Sequence, residues 1–128
     1  MTQVTLSKLL RNATNRLVTS GIEASEAKSS SRIIMKYVLD QSGIQHTTNQ
    51  IRGNQDLFWK LISMRASRIP LQYILKEWPF YNVKLLMRPP VFIPRPETEE
   101  LVHSIINVFK NKTDPIVFLG LFQMSVQK

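Results

Sequence analysis

A proline-flanked arginine followed by several glutamates is the stretch of this sequence whose residue types best suit binding chemistry. Arg95 stands between Pro94 and Pro96, and Glu97 begins a group of acids. An arginine offers a planar fork of hydrogen-bond donors to carboxylates and phosphates. Flanking prolines hold the backbone extended before a ligand arrives. The stretch therefore predicts a rigid binding edge, with a stiff linker between two domains as the alternative.

Other kinds of site are excluded by composition. Cysteine is absent from the 128 residues, which excludes disulfides, thiolate metal sites and cysteine nucleophiles and fits a reducing compartment. His46 and His103 are far apart in sequence and neither lies in a cluster spaced for metal binding. No apolar run approaches the ~18 residues that a membrane span needs. We therefore expect neither a metal centre nor a membrane segment.

The formal charge of +8 is unevenly distributed along the chain. Residues 1–76 contain eleven Lys and Arg and four acids, whereas residues 77–128 contain six and five. A basic surface of this kind suits nucleic acid, an acidic protein or a ribosome-associated partner. Ordinary solubilising charge is the alternative. No nucleic-acid-binding motif is recognisable, so direct nucleic-acid binding is the weakest of these hypotheses.

The first twenty residues have the bias of a mitochondrial transit segment, since they are basic and no acid precedes Glu23. The same stretch has apolar residues at three- and four-residue steps, which predicts a helix from Thr2 to Val18. It is therefore an address, a structural element or both. A second helix is expected after Gly21, with Ser20 and Glu23 as a capping box. Its predicted buried face comprises Ala24, Ala27, Ser31, Ile34 and Val38.

A third helix is predicted after residues 44–53, a polar stretch that predicts a loop or a short irregular helix. Asn54 is expected to cap it, and Pro70 to stop it by disfavouring helical geometry at the preceding residue. Arg65 and Arg68 fall near its end, where cations suit the helix dipole. The predicted apolar stripe is Leu57, Phe58, Leu61 and Ile62.

The pattern changes after Pro70. Alternating apolar residues around Tyr81-Asn82 predict two short strands, and Asn82 tolerates the left-handed conformation of such a turn. Helical periodicity returns from Thr98 to Phe109, with acids at the positive end of the helix dipole. An apolar run at 116–119 is typical of a buried parallel strand.

Two ordered motifs resemble a known family. The stretch 91–102, Val-Phe-Ile-Pro-Arg-Pro-Glu-Thr-Glu-Glu-Leu-Val, is similar to the signature before the catalytic domain of the protein-glutamine N5-methyltransferases that act on peptide chain release factors. Upstream, the stretch 68–74, Arg-Ile-Pro-Leu-Gln-Tyr-Ile, followed by Phe80, resembles the link from helical domain to hairpin in that family. Glu77-Trp78 is similar to its animal mitochondrial branch.

The resemblance implies an α+β chain: a small N-terminal helical bundle (1–75) that recruits the release factor, a β-hairpin and proline-rich linker (76–97), and the first helix and strand of a Rossmann-like methyltransferase domain (98–128). It implies methyl transfer from S-adenosylmethionine to the glutamine of a Gly-Gly-Gln loop in translation termination. It also implies that Phe92, Arg95 and Thr98 border the donor or substrate pocket. Duller roles stay open: Phe92 in the core, Arg95 paired with a neighbouring glutamate, and Thr98 as a helix cap.

The chain departs from the family pattern in three places. Lys76 lies near a position where glycine is usual, which is expected to distort the link, and Asn82 replaces the hairpin glycine. After the run at 116–119, a single Gly120 stands where the family has an acid and a glycine-rich loop, and no Asn-Pro-Pro-Tyr motif follows. We therefore expect a truncated form that is inactive by itself, monomeric, and mitochondrial or otherwise cytoplasmic. The alternative is a non-catalytic helical module that binds a release factor or another acidic partner.

Overall fold

A computed structural model describes residues 5–41 and 51–112 of the chain, except for the side chains of residues 51 and 52. The chain divides into two compact units, Met1–Leu75 and Lys76–Lys128. Described residues of the first unit form helices only, and those of the second form a hairpin and one helix. This mostly helical fold with a small antiparallel sheet agrees with the predicted α+β class. The predicted strand at 116–119 lies outside the described residues.

The first unit contains α1 (Leu6–Thr19), α2 (Ala24–Gln41), α3 (Ile51–Ala66) and the short α4 (Leu71–Leu75). The first three pack against one another. Their apolar faces form the core because residues three and four apart share one side of a helix. The described side chains buried in this unit are Ser30 and Ser31 and the apolar Leu9, Ala13, Leu17, Ile22, Ala27, Ile34, Met35, Val38, Phe58, Leu61, Ile62, Ile74 and Leu75.

The end of α1 is closed by a left-handed glycine. Gly21 has a φ of 93°, its amide donates to the carbonyl of Val18 at 2.9 Å, and the amide of Ile22 donates to Leu17 at 3.1 Å. These two bonds satisfy carbonyls that the helix end would otherwise leave free. Ile22 and Leu17 are both buried, which adds the apolar contact that accompanies this type of ending.

The predicted capping box is wrong. Ser20 belongs to the end of α1, where its hydroxyl donates to the Leu17 carbonyl at 2.7 Å. Glu23 is itself the cap of α2, because its Oε2 accepts the amides of Ser25 at 2.9 Å and Glu26 at 3.1 Å. Ala24, predicted to be buried, is exposed in the first turn of α2.

Helix α3 starts at Ile51, not after Asn54, so the predicted cap lies inside the helix. Gly53 costs an exposed helix about 1 kcal/mol relative to alanine. Packing of Phe58 and Ile62, both fully buried, outweighs that cost because tertiary burial rather than propensity supplies most helix stability.

Arg68 lies near the end of α3 as predicted, but two residues beyond its last residue, Ala66. It takes the left-handed conformation with a φ of 69°. Its guanidinium donates to the Gly21 carbonyl at 2.8 Å, and a Cβ on Gly21 would lie 2.8 Å from Arg68 Nη2. The positive φ favours glycine at position 21, and a Cβ there would also displace the end of the flexible Arg68 side chain from its bond to this carbonyl.

Arg65 does lie in the last turn of α3, and its main role is to tie this helix to α2. Its side chain is 11% exposed and forms a salt bridge with Glu26. It also donates to the Ile69 carbonyl at 3.1 Å and to the Ser30 hydroxyl at 3.4 Å. An arginine with several satisfied donors fixes the relative position of the elements it joins.

Candidate functional site

The second unit positions the predicted binding edge by means of a two-stranded hairpin. Strands β1 (Glu77–Phe80) and β2 (Val83–Leu86) pair antiparallel, with Phe80 opposite Val83. The predicted two-residue turn at Tyr81-Asn82 is confirmed. The left-handed residue is Tyr81, with a φ of 53°, and not Asn82 as predicted.

Lys76 has a φ of 63°, so the lysine adopts the conformation that glycine usually supplies. Its carbonyl accepts the Met87 amide at 2.9 Å, and strand pairing begins at the next residue. The hairpin is therefore formed despite the predicted distortion. A left-handed conformation costs a residue other than glycine roughly 1–2 kcal/mol, which the pairing and the burial of Leu85 and Met87 offset.

An irregular segment from Met87 to Arg95 connects the hairpin to helix α5 (Pro96–Phe109). The amide of Val91 donates to the Arg88 carbonyl at 2.9 Å, which closes a turn with Pro89 and Pro90 at its centre. Pro94 is buried, whereas the next residue, Arg95, is exposed. The segment is thus anchored at one proline and presents the arginine to solvent.

Arg95 is the cap residue of α5, with an extended backbone at φ −88° and ψ 150°, and Pro96 is the first helical residue. Proline is favoured there because its missing amide hydrogen is not needed and its φ suits a helix. Glu97 and Glu99 lie in the first turn, near the positive end of the helix dipole.

Phe92, Arg95 and Thr98 therefore fall at three-residue intervals around the start of α5. The Phe92 side chain is 58% exposed, so it does not belong to the core of the described residues. Arg95 forms no salt bridge within residues 5–41 and 51–112, which removes its predicted pairing with a glutamate. Thr98 does not cap the helix, because the cap position is Arg95; its amide donates to the Arg95 carbonyl at 3.0 Å.

Sequence reasoning missed the bond that ties α5 to the hairpin. Glu99 Oε1 accepts the backbone amide of Tyr81 at 2.7 Å, and the Tyr81 ring lies 5.9 Å from the His103 ring between centroids. A groove of about 460 Å³ adjoins this contact, lined by Tyr81, Pro96, Glu99, Glu100, His103 and Ser104. The sequence indicated only that acids cluster here, and the partner of Glu99, Tyr81, lies 18 residues away from it in the chain.

The described part of the chain holds neither a metal-binding cluster nor a membrane-spanning helix. It contains no group of three or more His, Cys, Asp or Glu residues that could hold a metal ion. None of its helices combines the length and apolar character needed to cross a membrane.

Comparison with known proteins gives the family. Residues 8–75 match the family model described as the PrmC N-terminal domain. A human protein named MTRF1L release factor glutamine methyltransferase is 44% identical over 87 residues, which cover 63% of this chain and 26% of the human protein. The release factor glutamine methyltransferase of Deinococcus radiodurans is 31% identical over 119 residues, covering 88% of this chain and 41% of that protein.

A third relative is yeast mitochondrial MRF1 N(5)-glutamine methyltransferase MTQ1, which is 35% identical over 75 residues, covering 57% of this chain and 24% of that protein. The chain thus spans between about a quarter and two fifths of the length of these relatives. The matched family domain coincides with the helical unit, and the longest of these alignments extends beyond it. The chain therefore belongs to the release factor glutamine methyltransferase family, of which it carries the PrmC N-terminal domain.

Proposed function

We propose that this chain is the recruiting part of an enzyme that methylates the glutamine of a Gly-Gly-Gln loop in a peptide chain release factor. The observation that carries the proposal is the match of residues 8–75 to the PrmC N-terminal domain. The name of the human relative supports methylation of a release factor as the reaction of the whole enzyme, and the name of the yeast relative supports glutamine as the residue that is methylated.

In this proposal the parts have separate tasks. The helical bundle of residues 1–75 recruits the protein substrate, residues 76–97 connect it to the catalytic part, and residues 98–128 begin the methyltransferase domain. An Asn-Pro-Pro-Tyr motif, which would hold the substrate amide, does not occur in the sequence. We therefore expect the 128 residues alone to recruit a release factor without methylating it.

S-adenosylmethionine, as methyl donor, would supply an electrophilic methyl group. The residues at the start of α5 are compatible with a place at the border of its site. Phe92 offers an exposed ring for packing, and Arg95 offers hydrogen-bond donors that no described carboxylate occupies. The half-buried Thr98 contributes a hydroxyl one helical turn further on. The task of these residues is to bind and orient, since none of them is placed to transfer a proton to a substrate.

A nuclear magnetic resonance titration of the purified chain with S-adenosylmethionine tests the donor placement. We expect weak binding, with amide shifts centred on Phe92, Arg95 and Thr98. The variant Phe92→Ala is expected to reduce these shifts, and Tyr81→Phe, which keeps the neighbouring groove, serves as the control. Shifts centred elsewhere, or tight binding accompanied by methylation of a release factor, would contradict the proposal.

A second candidate is a non-catalytic module that binds a release factor or another acidic partner. The basic surface of the helical unit favours it, since residues 1–75 carry ten cations against four acids. Binding of the purified chain to release factors at low salt tests the recruitment that both candidates share. A chain that retains no release factor under these conditions would count against both.

We also propose a mitochondrial location and a monomeric state. The name of the yeast relative describes that protein as mitochondrial. The basic bias of the first twenty residues of this chain agrees with a mitochondrial location. That stretch is at the same time structural, because Leu9, Ala13 and Leu17 of α1 are core residues. Imaging of the chain with a C-terminal fluorescent tag and light scattering of the purified chain test the two statements.

A further inference from the structure

Helices α1 and α2 enclose a basic groove on the surface of the helical unit. Its volume is about 370 Å³. The residues that line it include Leu10, Arg11, Thr14 and Asn15 from α1 and Lys28 and Arg32 from α2. No acid lines it. These residues define the α1–α2 groove.

The cations of this groove have no partners among the described residues. Arg11, Lys28 and Arg32 are all exposed, and neither salt bridge of the described residues involves any of them. The two acids at the start of α2 are engaged elsewhere: Glu23 caps the helix, and Glu26 is bound to Arg65. Like charges held together without counter-charges repel one another, so an anionic partner gains from each of them.

The cations also form a regular row. Lys28 and Arg32 lie four residues apart on α2, and Lys36, which is outside the groove lining, extends this row by one more turn, so the three lie on one side of the helix. Arg11 lies on α1, the helix that packs against α2. The groove thus offers positive charge from both walls along its length.

The floor of the groove is not purely polar. Leu10 and Thr14 are half-buried in it, and the side chains of lysine and arginine carry apolar stems. A nucleic-acid backbone would use the charges and leave these apolar groups uncovered. An amphipathic helix with carboxylates beside leucine-like side chains would use both, in the manner of a helix bound in a groove.

We infer that the α1–α2 groove is the docking site for an acidic amphipathic segment of the protein partner. The inference rests on the proposed function, since it takes this partner to be the protein that the helical unit recruits. Each exposed charge pair of this kind contributes little by itself, so several together, with the apolar floor, are needed for specific binding.

A peptide titration tests the docking site without any need for methyl transfer. The probe is a helical peptide of about 16 residues with Glu and Leu on one face, and the matched peptide carries Gln in place of each Glu. Fluorescence anisotropy with the full chain at low salt measures both affinities. We expect the Glu peptide to bind at least about tenfold more tightly than the Gln peptide, and its affinity to fall as salt increases.

Two charge-matched variants locate the binding. The groove variant combines Arg11→Gln, Lys28→Gln and Arg32→Gln, and is expected to bind the Glu peptide about tenfold or more weakly. The control variant combines Arg16→Gln, Lys60→Gln and Lys110→Gln, three exposed cations outside the groove, and is expected to lose less than about twofold. Glutamine has a helix propensity close to that of lysine and arginine, and circular dichroism checks that both variants fold.

Three outcomes would overturn the inference. They are equal weakening in both variants, equal affinity for both peptides, and groove-dependent binding of an RNA duplex that is tighter than that of the Glu peptide. Donor-induced shifts at Phe92, Arg95 and Thr98 are expected to be unchanged in the groove variant. A failure of peptide docking is therefore distinguishable from a failure of the proposed methyltransferase role.

Discussion

Helices α1 and α5 are both 14 residues long and both amphipathic, yet they differ in burial. Leu9, Ala13 and Leu17 of α1 are buried against its neighbours. None of the residues of α5 is buried by the described residues, and Leu101 and Val108 are 59% and 67% exposed. Amphipathic spacing therefore predicts that a helix has a face to bury, but neighbouring elements decide whether the face is covered.

The largest expected difference is in the loss of stability when one phenylalanine of each unit is replaced by alanine. Phe58 is fully buried in α3, whereas Phe92 is 58% exposed. We expect Phe58→Ala to lower the free energy of unfolding by about 3–5 kcal/mol, because it leaves a cavity in a packed core. Phe92→Ala is expected to change it by no more than about 0.5 kcal/mol. Urea denaturation followed by circular dichroism measures both; equal losses would remove the contrast between the units.

An intermediate effect is expected at the bond between α5 and the hairpin. Glu99→Ala frees the Tyr81 amide that its carboxylate holds at 2.7 Å, and Tyr81 has a left-handed φ that this bond helps to maintain. We expect exchange of the Tyr81 amide hydrogen to become about fivefold faster, which corresponds to ~1 kcal/mol. Glu100→Ala, an exposed neighbour, is the control. Unchanged exchange at Tyr81 in the Glu99 variant would show that the hairpin holds its turn unaided.

The smallest effect is expected at the start of α2 and depends on pH. Hydrogen bonds from the Ser25 hydroxyl, and then from the Ser25 and Glu26 amides, lower the pKa of Glu23 below its ordinary value of 4.5. Because the folded-state pKa is depressed, the stabilisation is present above the ordinary pKa and is lost as pH falls through the folded value.

The variant Glu23→Gln tests this pH dependence. It is expected to be slightly less stable than the parent chain at neutral pH and equally stable in acid. The effect is small because Glu23 is exposed to solvent. Thermal unfolding of the two chains from neutral to acidic pH measures the difference in their stability. A difference that stays constant at all pH values would contradict the assigned cause.

Local patterns in the sequence predicted much of the fold. The apolar spacing of α1 and α2 and the alternation around Tyr81-Asn82 led to elements that the structure contains. Exact ends were less predictable: Asn54 is a good capping residue, yet α3 begins at Ile51. A cap competes with packing energy, and a residue's preference alone does not reveal how much packing is available.

The start of α5 was predictable in approximate position but not in its contacts. Helical periodicity and the acids predicted a helix from Thr98, and the structure begins it two residues earlier, at Pro96. The partner of Glu99 was not predictable, because its bond to Tyr81 joins residues that become neighbours only after the hairpin folds. The same applies to Arg65 and Glu26, which are separated by 39 residues.

The sequence by itself determined the periodicity of the helices, the hairpin turn, the stiff Pro-Arg-Pro segment and the excess of positive charge, since each depends on residues close in the chain. The tertiary structure decided which apolar faces are covered, which cations are paired and which remain free in the α1–α2 groove. Those outcomes depend on contacts between residues far apart in sequence, and these contacts form only once the helices have packed.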